Sequence, residues 1–191
     1  MYLSLTICNE DLYQKAKLFF LQQWRSDLLS KESESLIWAY LITQYMKQNW
    51  KSDFSFINWV YSYEELYFST SHSENSLIIA IDTKKIAVDI EHIKRRNDSL
   101  LHNIKIPNSK YSTQKNFYLQ WCAKECLIKF LNLTSNDMED MEIIDFIPDN
   151  YFHTNEQNFQ SLLILGFKWT QYSIHINIKN DIIIWLLCDS I

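Results

Sequence analysis

The hydrophobic pattern changes period along the chain. After a short strand candidate, MYLSLTI, the runs DLYQKAKLFFLQQW (11–24) and ESLIWAYLITQYMKQ (34–48) carry apolar residues at helix-compatible spacing. From residue 56 the pattern turns aromatic and β-branched. FINWVYSY and LYFSTSH are followed by SLIIAIDTKKIAVDIE, which reads as two strands around a short polar turn near Thr83–Lys85. Residues 92–113 are polar and irregular, with the cluster Lys94-Arg95-Arg96 and a break at Pro107. QKNFYLQWCAKECLIKFL (114–131) then predicts the clearest helix, because strong helix formers continue with no Gly or Pro. An acidic connector leads to four more strand-like stretches, MEIIDFI, FQSLLILGFKW, YSIHINIK and DIIIWLLC. Helices followed by strands, twice over, predict an α+β fold of two pseudo-repeated halves rather than a parallel α/β sheet.

Composition narrows the function classes. Hydrophobic residues make up 47% of the 191 and aromatics 15%, which is a globular composition for one domain or two small ones. The formal net charge is −5 and only Arg25, Arg95 and Arg96 are arginines, which argues against general nucleic-acid binding. A single anionic ligand held by a few placed lysines and histidines fits this balance. With one Gly and two Pro, no glycine-rich phosphate loop of the Walker or dinucleotide kind can form, and Asn and Ser must serve the turns. Four Cys without a secretory signal point to a reduced, cytoplasmic setting. The longest apolar runs fall short of the roughly 20 residues that span a bilayer, so no membrane partner is expected.

The candidate chemistry begins at IAVDIE (86–91). With a strand period of two, Ile86, Val88 and Ile90 face one side while Ala87, Asp89 and Glu91 face the other. Two carboxylates on one face either share a proton, meet a cation or lie at a solvated strand edge, and the last is the commonest case for a bare D-x-E pattern. On the 114–131 helix, Tyr118, Trp121, Cys122, Glu125, Lys129 and Asn132 cluster on one side at 100° per residue, with Leu119, Ala123, Cys126, Leu127, Phe130 and Leu131 opposite. Lys124 points roughly 100° away from Glu125. Cys122 and Cys126 have no second Cys/His pair at zinc spacing and read as packing residues. Upstream, Ser71-His72-Ser73 reads as the junction before the next hairpin, where hydroxyls, backbone N–H groups and an imidazole can hold a phosphate.

Together these elements resemble the 4'-phosphopantetheinyl transferase superfamily, in its surfactin-synthetase-activating type. That family carries F-x-x-S-H-S, then G-[IV]-D-[IVL]-E, then W-x-x-K-E-[AS]-x-x-K. Here they stand as Phe68-Ser69-Thr70-Ser71-His72-Ser73, Ala87-Val88-Asp89-Ile90-Glu91 and Trp121-Cys122-Ala123-Lys124-Glu125-Cys126-Leu127-Ile128-Lys129, in the same order and spacing. The resemblance implies two similar α+β subdomains related by a pseudo-twofold, 1–84 and 85–191, with coenzyme A in the cleft between them. It implies Mg²⁺, or Mn²⁺ in its place, on Asp89, Glu91 and Glu125. It assigns Ser71, His72, Lys124 and Lys129 to the coenzyme, and Glu125 and Lys129 to catalysis. The activity implied is transfer of the 4'-phosphopantetheine arm to a serine of an acyl, peptidyl or aryl carrier protein by a monomer, with 3',5'-ADP released.

The sequence departs from the family pattern in places. Ala87 replaces the usual Gly, and the G-K-P segment before S-H-S is absent, its region reading NWVYSYEELYF. Lys15, Lys17, Arg25 or Lys31 are candidate substitutes for those coenzyme contacts. A relative that binds coenzyme A or a carrier without transfer is the alternative that these departures favour. A metal-dependent nuclease would share the acidic strand, but its usual acid-x-Lys is missing and the net charge is negative. The cluster Lys94, Arg95, Arg96, Lys105 and Lys110 is either a docking patch for an acidic carrier or a solvated loop.

Overall fold

The computed structural model describes residues 1–22, 37, 39–44, 62–63, 66–97, 101, 104, 106–153, 158–179 and 182–187. Two antiparallel sheets with few helices among the described residues make a mixed α and β fold. Strands β1 (Tyr2–Ile7), β2 (Ser62–Tyr63), β3 (Leu66–Ser73) and β4 (Ser76–Asp82) form the first sheet in the order β1-β4-β3-β2. Strands β5 (Ala87–His92), β6 (Glu142–His153), β7 (Asn158–Phe167), β8 (Thr170–Lys179) and β9 (Ile182–Leu187) form the second in the order β5-β9-β8-β7-β6. Helix α1 (Glu10–Gln22) accompanies the first sheet, and helix α2 (Thr113–Leu131) with a 3₁₀ helix (Ser135–Asp140) accompanies the second. Of the predicted 34–48 helix, residues 37 and 39–44 are helical, and of the 56–63 run Ser62–Tyr63 is a strand; the rest of both runs lies outside the described residues.

Strand β4 explains how the layers join. Its alternation sends Leu77, Ile79 and Ile81 into a cluster with Ala16 and Phe20 of α1, while Ile78 and Ala80 meet Leu3, Val88, Ile90 and Ile184. A strand buried on both faces must be apolar throughout, which is what the run LIIAI supplies. The second sheet is covered on its other face by α2, whose Leu119, Ala123, Cys126 and Leu127 are fully buried against Ala87, Leu163, Leu165 and Ile174. Each such leucine contributes about 1.5–3 kcal/mol of burial. Strand β5 is therefore held between two apolar layers, and its position is fixed.

Two local readings are corrected. The run SLIIAIDTKKIAVDIE does contain two strands, but residues 83–86 carry the chain from one sheet to the other: β4 pairs with β1 and β3, and β5 pairs with β9. Ser71-His72-Ser73 is not a junction; it ends strand β3. The hairpin turn is Glu74-Asn75, closed by the pair Ser73 and Ser76, with Glu74 in the left-handed region at φ 52°.

Candidate active site

As the end strand of its sheet, β5 has a side without a β partner. Alternate residues of β3 cover it. The Val88 N–H donates to Ser69 Oγ (2.9 Å) and the His92 N–H to Ser73 Oγ (3.2 Å), so hydroxyls from one sheet satisfy edge groups of the other. The same ladder holds the two acids. Ser71 Oγ donates to Asp89 Oδ1 at 2.7 Å, and Ser73 Oγ donates to Glu91 Oε2 at 2.8 Å. Hydrogen bonds to a charged acceptor are the stronger kind, so both carboxylates are fixed in orientation. Ser69 is a site residue that the sequence reading did not assign, and Ser73, read there within a phosphate-holding segment, instead bonds Glu91; the period-two spacing of hydroxyls at 69, 71 and 73 was the available signal.

Helix α2 supplies the opposite wall. Lys129 Nζ donates to Asp89 Oδ1 at 2.7 Å and to the Val88 carbonyl at 3.2 Å. Asp89 is only 5% exposed, yet its Oδ2 has no hydrogen-bond partner of ordinary geometry among the described residues. The Cys122 thiol lies close enough to feel Asp89, but a thiol is a weak donor. Burial first, then the charges of Asp89 and Glu91, push Cys122 well above the ordinary thiol range. It stays a neutral thiol and not a nucleophile. Glu125, one turn before Lys129, is pushed up by burial, Asp89 and Glu91 in spite of Lys129. One helix face thus presents residues 122, 125 and 129 to the acids of β5.

That face is largely covered. Tyr118 and Cys122 are fully buried, because α2 packs β5 along this side as well as the main sheet along the other. The Tyr118 hydroxyl ties down the segment after β5 by accepting from the Lys94 N–H (3.1 Å) and from Arg96 Nε (2.9 Å). Cys126 Sγ donates to the Ala87 carbonyl at 3.3 Å, and Ala87 is itself buried, so the Ala in place of the family glycine packs in the core. Both Cys122 and Cys126 are packing residues, as their spacing indicates.

The structure gathers Asp89, Glu91, Glu125, Lys129 and Ser71, but not the other two predicted residues. Lys124 Nζ donates to the Met138 carbonyl at 2.7 Å and so anchors the 3₁₀ helix. His72 is exposed on the face of β3 that carries Phe68 toward the α1 core, opposite to the serine ladder. Of the basic cluster, Lys94 pairs with Glu74 (3.1 Å) and Arg96 lies over Phe117 and Tyr118, whereas Arg95 and Lys110 are exposed and Lys105 lies outside the described residues. Lys15 is paired with Asp11, and Arg25 and Lys31 lie outside the described residues.

A cavity of about 540 Å³ opens beside Lys129. Phe68, Ile86, Ile128 and Leu133 form its apolar walls, and Lys85 and Lys129 bring cations to it. Lys129 thus lines the cavity and also holds Asp89.

As placed, no group of three or more His, Cys, Asp or Glu among the described residues is close enough to enclose a metal ion. The donor chemistry nevertheless fits a hard cation. All the candidate donors are carboxylate oxygens, one of them is buried without a partner, and a neighbouring acid is raised in pKa by burial first and then by the other two. Among curated proteins nothing matches the chain. The segment that supplies β5, α2 and strands β6 to β8, residues 85–177 and just under half of the chain, matches the family model of the 4'-phosphopantetheinyl transferase superfamily.

Proposed function

We propose that the protein transfers the 4'-phosphopantetheine arm of coenzyme A to a serine of an acyl, peptidyl or aryl carrier protein, with Mg²⁺ as cofactor and 3',5'-ADP as the other product. The observation that carries this reading is the facing of Asp89 and Glu91 on β5 by Glu125 and Lys129 on α2, within the segment that matches the superfamily. On this reading the chain is of the surfactin-synthetase-activating type, with halves 1–84 and 85–191 related by a pseudo-twofold.

The residues have separable roles. Asp89 through Oδ2, Glu91 and Glu125 would hold the metal, which when bound offsets charge on phosphate oxygens. Lys129 spends two of its donors on Asp89 and Val88, which leaves one to meet a phosphate oxygen of the coenzyme. Glu125 is the base: as the serine oxygen bonds to phosphorus, its proton passes to Glu125 directly or through water, and the bond from phosphorus to the 3',5'-ADP oxygen breaks. A carboxylate raised by burial and by its acidic neighbours suits this role, since it holds the proton more strongly than a free Glu. Protons and the metal compete for this carboxylate, so the Mg²⁺ concentration that gives half-maximal rate is expected to rise as pH falls. A half-saturating Mg²⁺ concentration that does not change with pH contradicts the assignment.

Substituting Asp89→Ala or Glu125→Ala is expected to abolish transfer while leaving the circular dichroism spectrum intact. The check is the mass of an apo carrier after incubation with coenzyme A and Mg²⁺. His72→Ala, on the far face of β3, is expected to leave kcat unchanged, as the same carrier assay would show. Lys124→Ala acts through the 3₁₀ helix and lowers stability more than it lowers kcat.

A further inference from the structure

The cavity beside Lys129 holds a second ammonium that the reaction scheme does not use. Lys85 lies in the linker between β4 and β5, half-buried, with its Nζ 5.3 Å from the centroid of the Phe130 ring. The ring fixes where the ammonium stands without cancelling its charge. No carboxylate pairs with Lys85 among the described residues, whereas Lys129 is already neutralised by Asp89. Ser69 and Thr70 line the same cavity, as does Asn132. The cavity therefore carries one uncompensated positive charge, with apolar walls formed by Phe68, Ile86, Ile128 and Leu133.

We propose that Lys85 is an anion contact, and that this cavity binds a phosphate-bearing ligand between Lys85 and Lys129. Each ammonium is a charge-assisted donor to a phosphate oxygen, and the apolar walls suit the uncharged remainder of such a ligand. The proposal rests on the transferase reading only for the identity of the ligand, which is then coenzyme A. It also gives this chain a basic contact in place of the missing G-K-P lysine, from a linker and not from the N-terminal helices.

Calorimetric titration with two probes, coenzyme A and inorganic pyrophosphate, tests it. Lys85→Glu is expected to weaken binding of both probes roughly tenfold or more, as for loss of a charge-assisted hydrogen bond. Lys85→Gln, which removes the charge at similar length, goes the same way, and Lys85→Arg stays within about threefold of wild type. Lys115→Glu, at the opposite end of α2, leaves both affinities unchanged. Wild-type affinity for both probes in folded Lys85→Glu and Lys85→Gln overturns the proposal. If the wild type takes pyrophosphate in a Lys85-dependent way but not coenzyme A, the anion site stands and the transferase reading falls. If neither probe binds, both fall.

Discussion

Glu125 is half-buried on α2 and faces two other carboxylates; its pKa is raised by burial first, then by Asp89 and Glu91. The sign of its effect on stability follows. A carboxyl whose folded pKa exceeds its unfolded value favours the fold below the unfolded pKa, where it is neutral in both states, relative to the charged form at higher pH. As pH rises through the folded pKa, that advantage is lost. Glu125→Gln should therefore melt at a higher temperature than wild type near neutral pH without divalent cations, and the difference should vanish at acid pH. The same variant should lose transfer. Ser73 works in the other direction: its hydroxyl donates to Glu91 and accepts from the His92 N–H, so Ser73→Ala removes two partners at once. It is expected to lose about 1–3 kcal/mol in urea denaturation and to lower kcat, with little change in KM for coenzyme A. At this scale the acids and Lys129 were legible in the sequence because residue type and spacing carry their chemistry. The serine ladder was not, since its partners are contributed by another sheet and hydroxyls are common in turns.

Helix α2 positions two of the site residues, Glu125 and Lys129, and its ends are set by local rules. Ser112 caps its N-terminus through the Lys115 N–H, and Asn132 closes it in the left-handed conformation at φ 56°, with the Leu133 N–H returning to the Ile128 carbonyl. In a chain with one glycine, asparagine takes this place because it tolerates the left-handed region better than most residues. Asn132→Ala should cost about 1 kcal/mol or more in urea denaturation, and Asn132→Gly should be near neutral. The one glycine makes the opposite case. An added Cβ on Gly166 would stand 2.9 Å from the end of the Ile144 side chain, which is exposed and free to turn away. Gly166→Ala should change the melting temperature little, and a large loss would mean that Ile144 cannot move. Periodicity made α1, α2 and the last four strands legible. It could not show that β4 and β5 part into different sheets, because pairing with β1 and β9 is a long-range choice. Nor could helix angle alone show that Tyr118 and Cys122 are buried, since α2 is covered on two sides.

Over the whole molecule, the two sheets share a core of Leu3, Ile78, Ala80, Val88, Ile90 and Ile184, and β5 is the strand that elements of both sheets hold. This is why two acids in an apolar strand are neither a solvated edge nor a misplaced charge. Their backbone is locked by β9 on one side and by β3 serines on the other, and their side chains face α2. No helix among the described residues is long and apolar enough to cross a membrane. The superfamily match covers the C-terminal part with β5 and α2, while the serine ladder and most of the cavity's aromatic wall come from β3, outside it. The site was legible where its motifs are contiguous, in AVDIE and WCAKECLIK, and much less so where residues distant in sequence must meet. The most direct test is incubation of the purified protein with apo carrier protein, coenzyme A and Mg²⁺, followed by mass spectrometry of the carrier. The account predicts one added phosphopantetheine on a carrier serine with equimolar 3',5'-ADP, lost in Asp89→Ala; an unmodified carrier across several carrier types, or equal modification by Asp89→Ala, would contradict it.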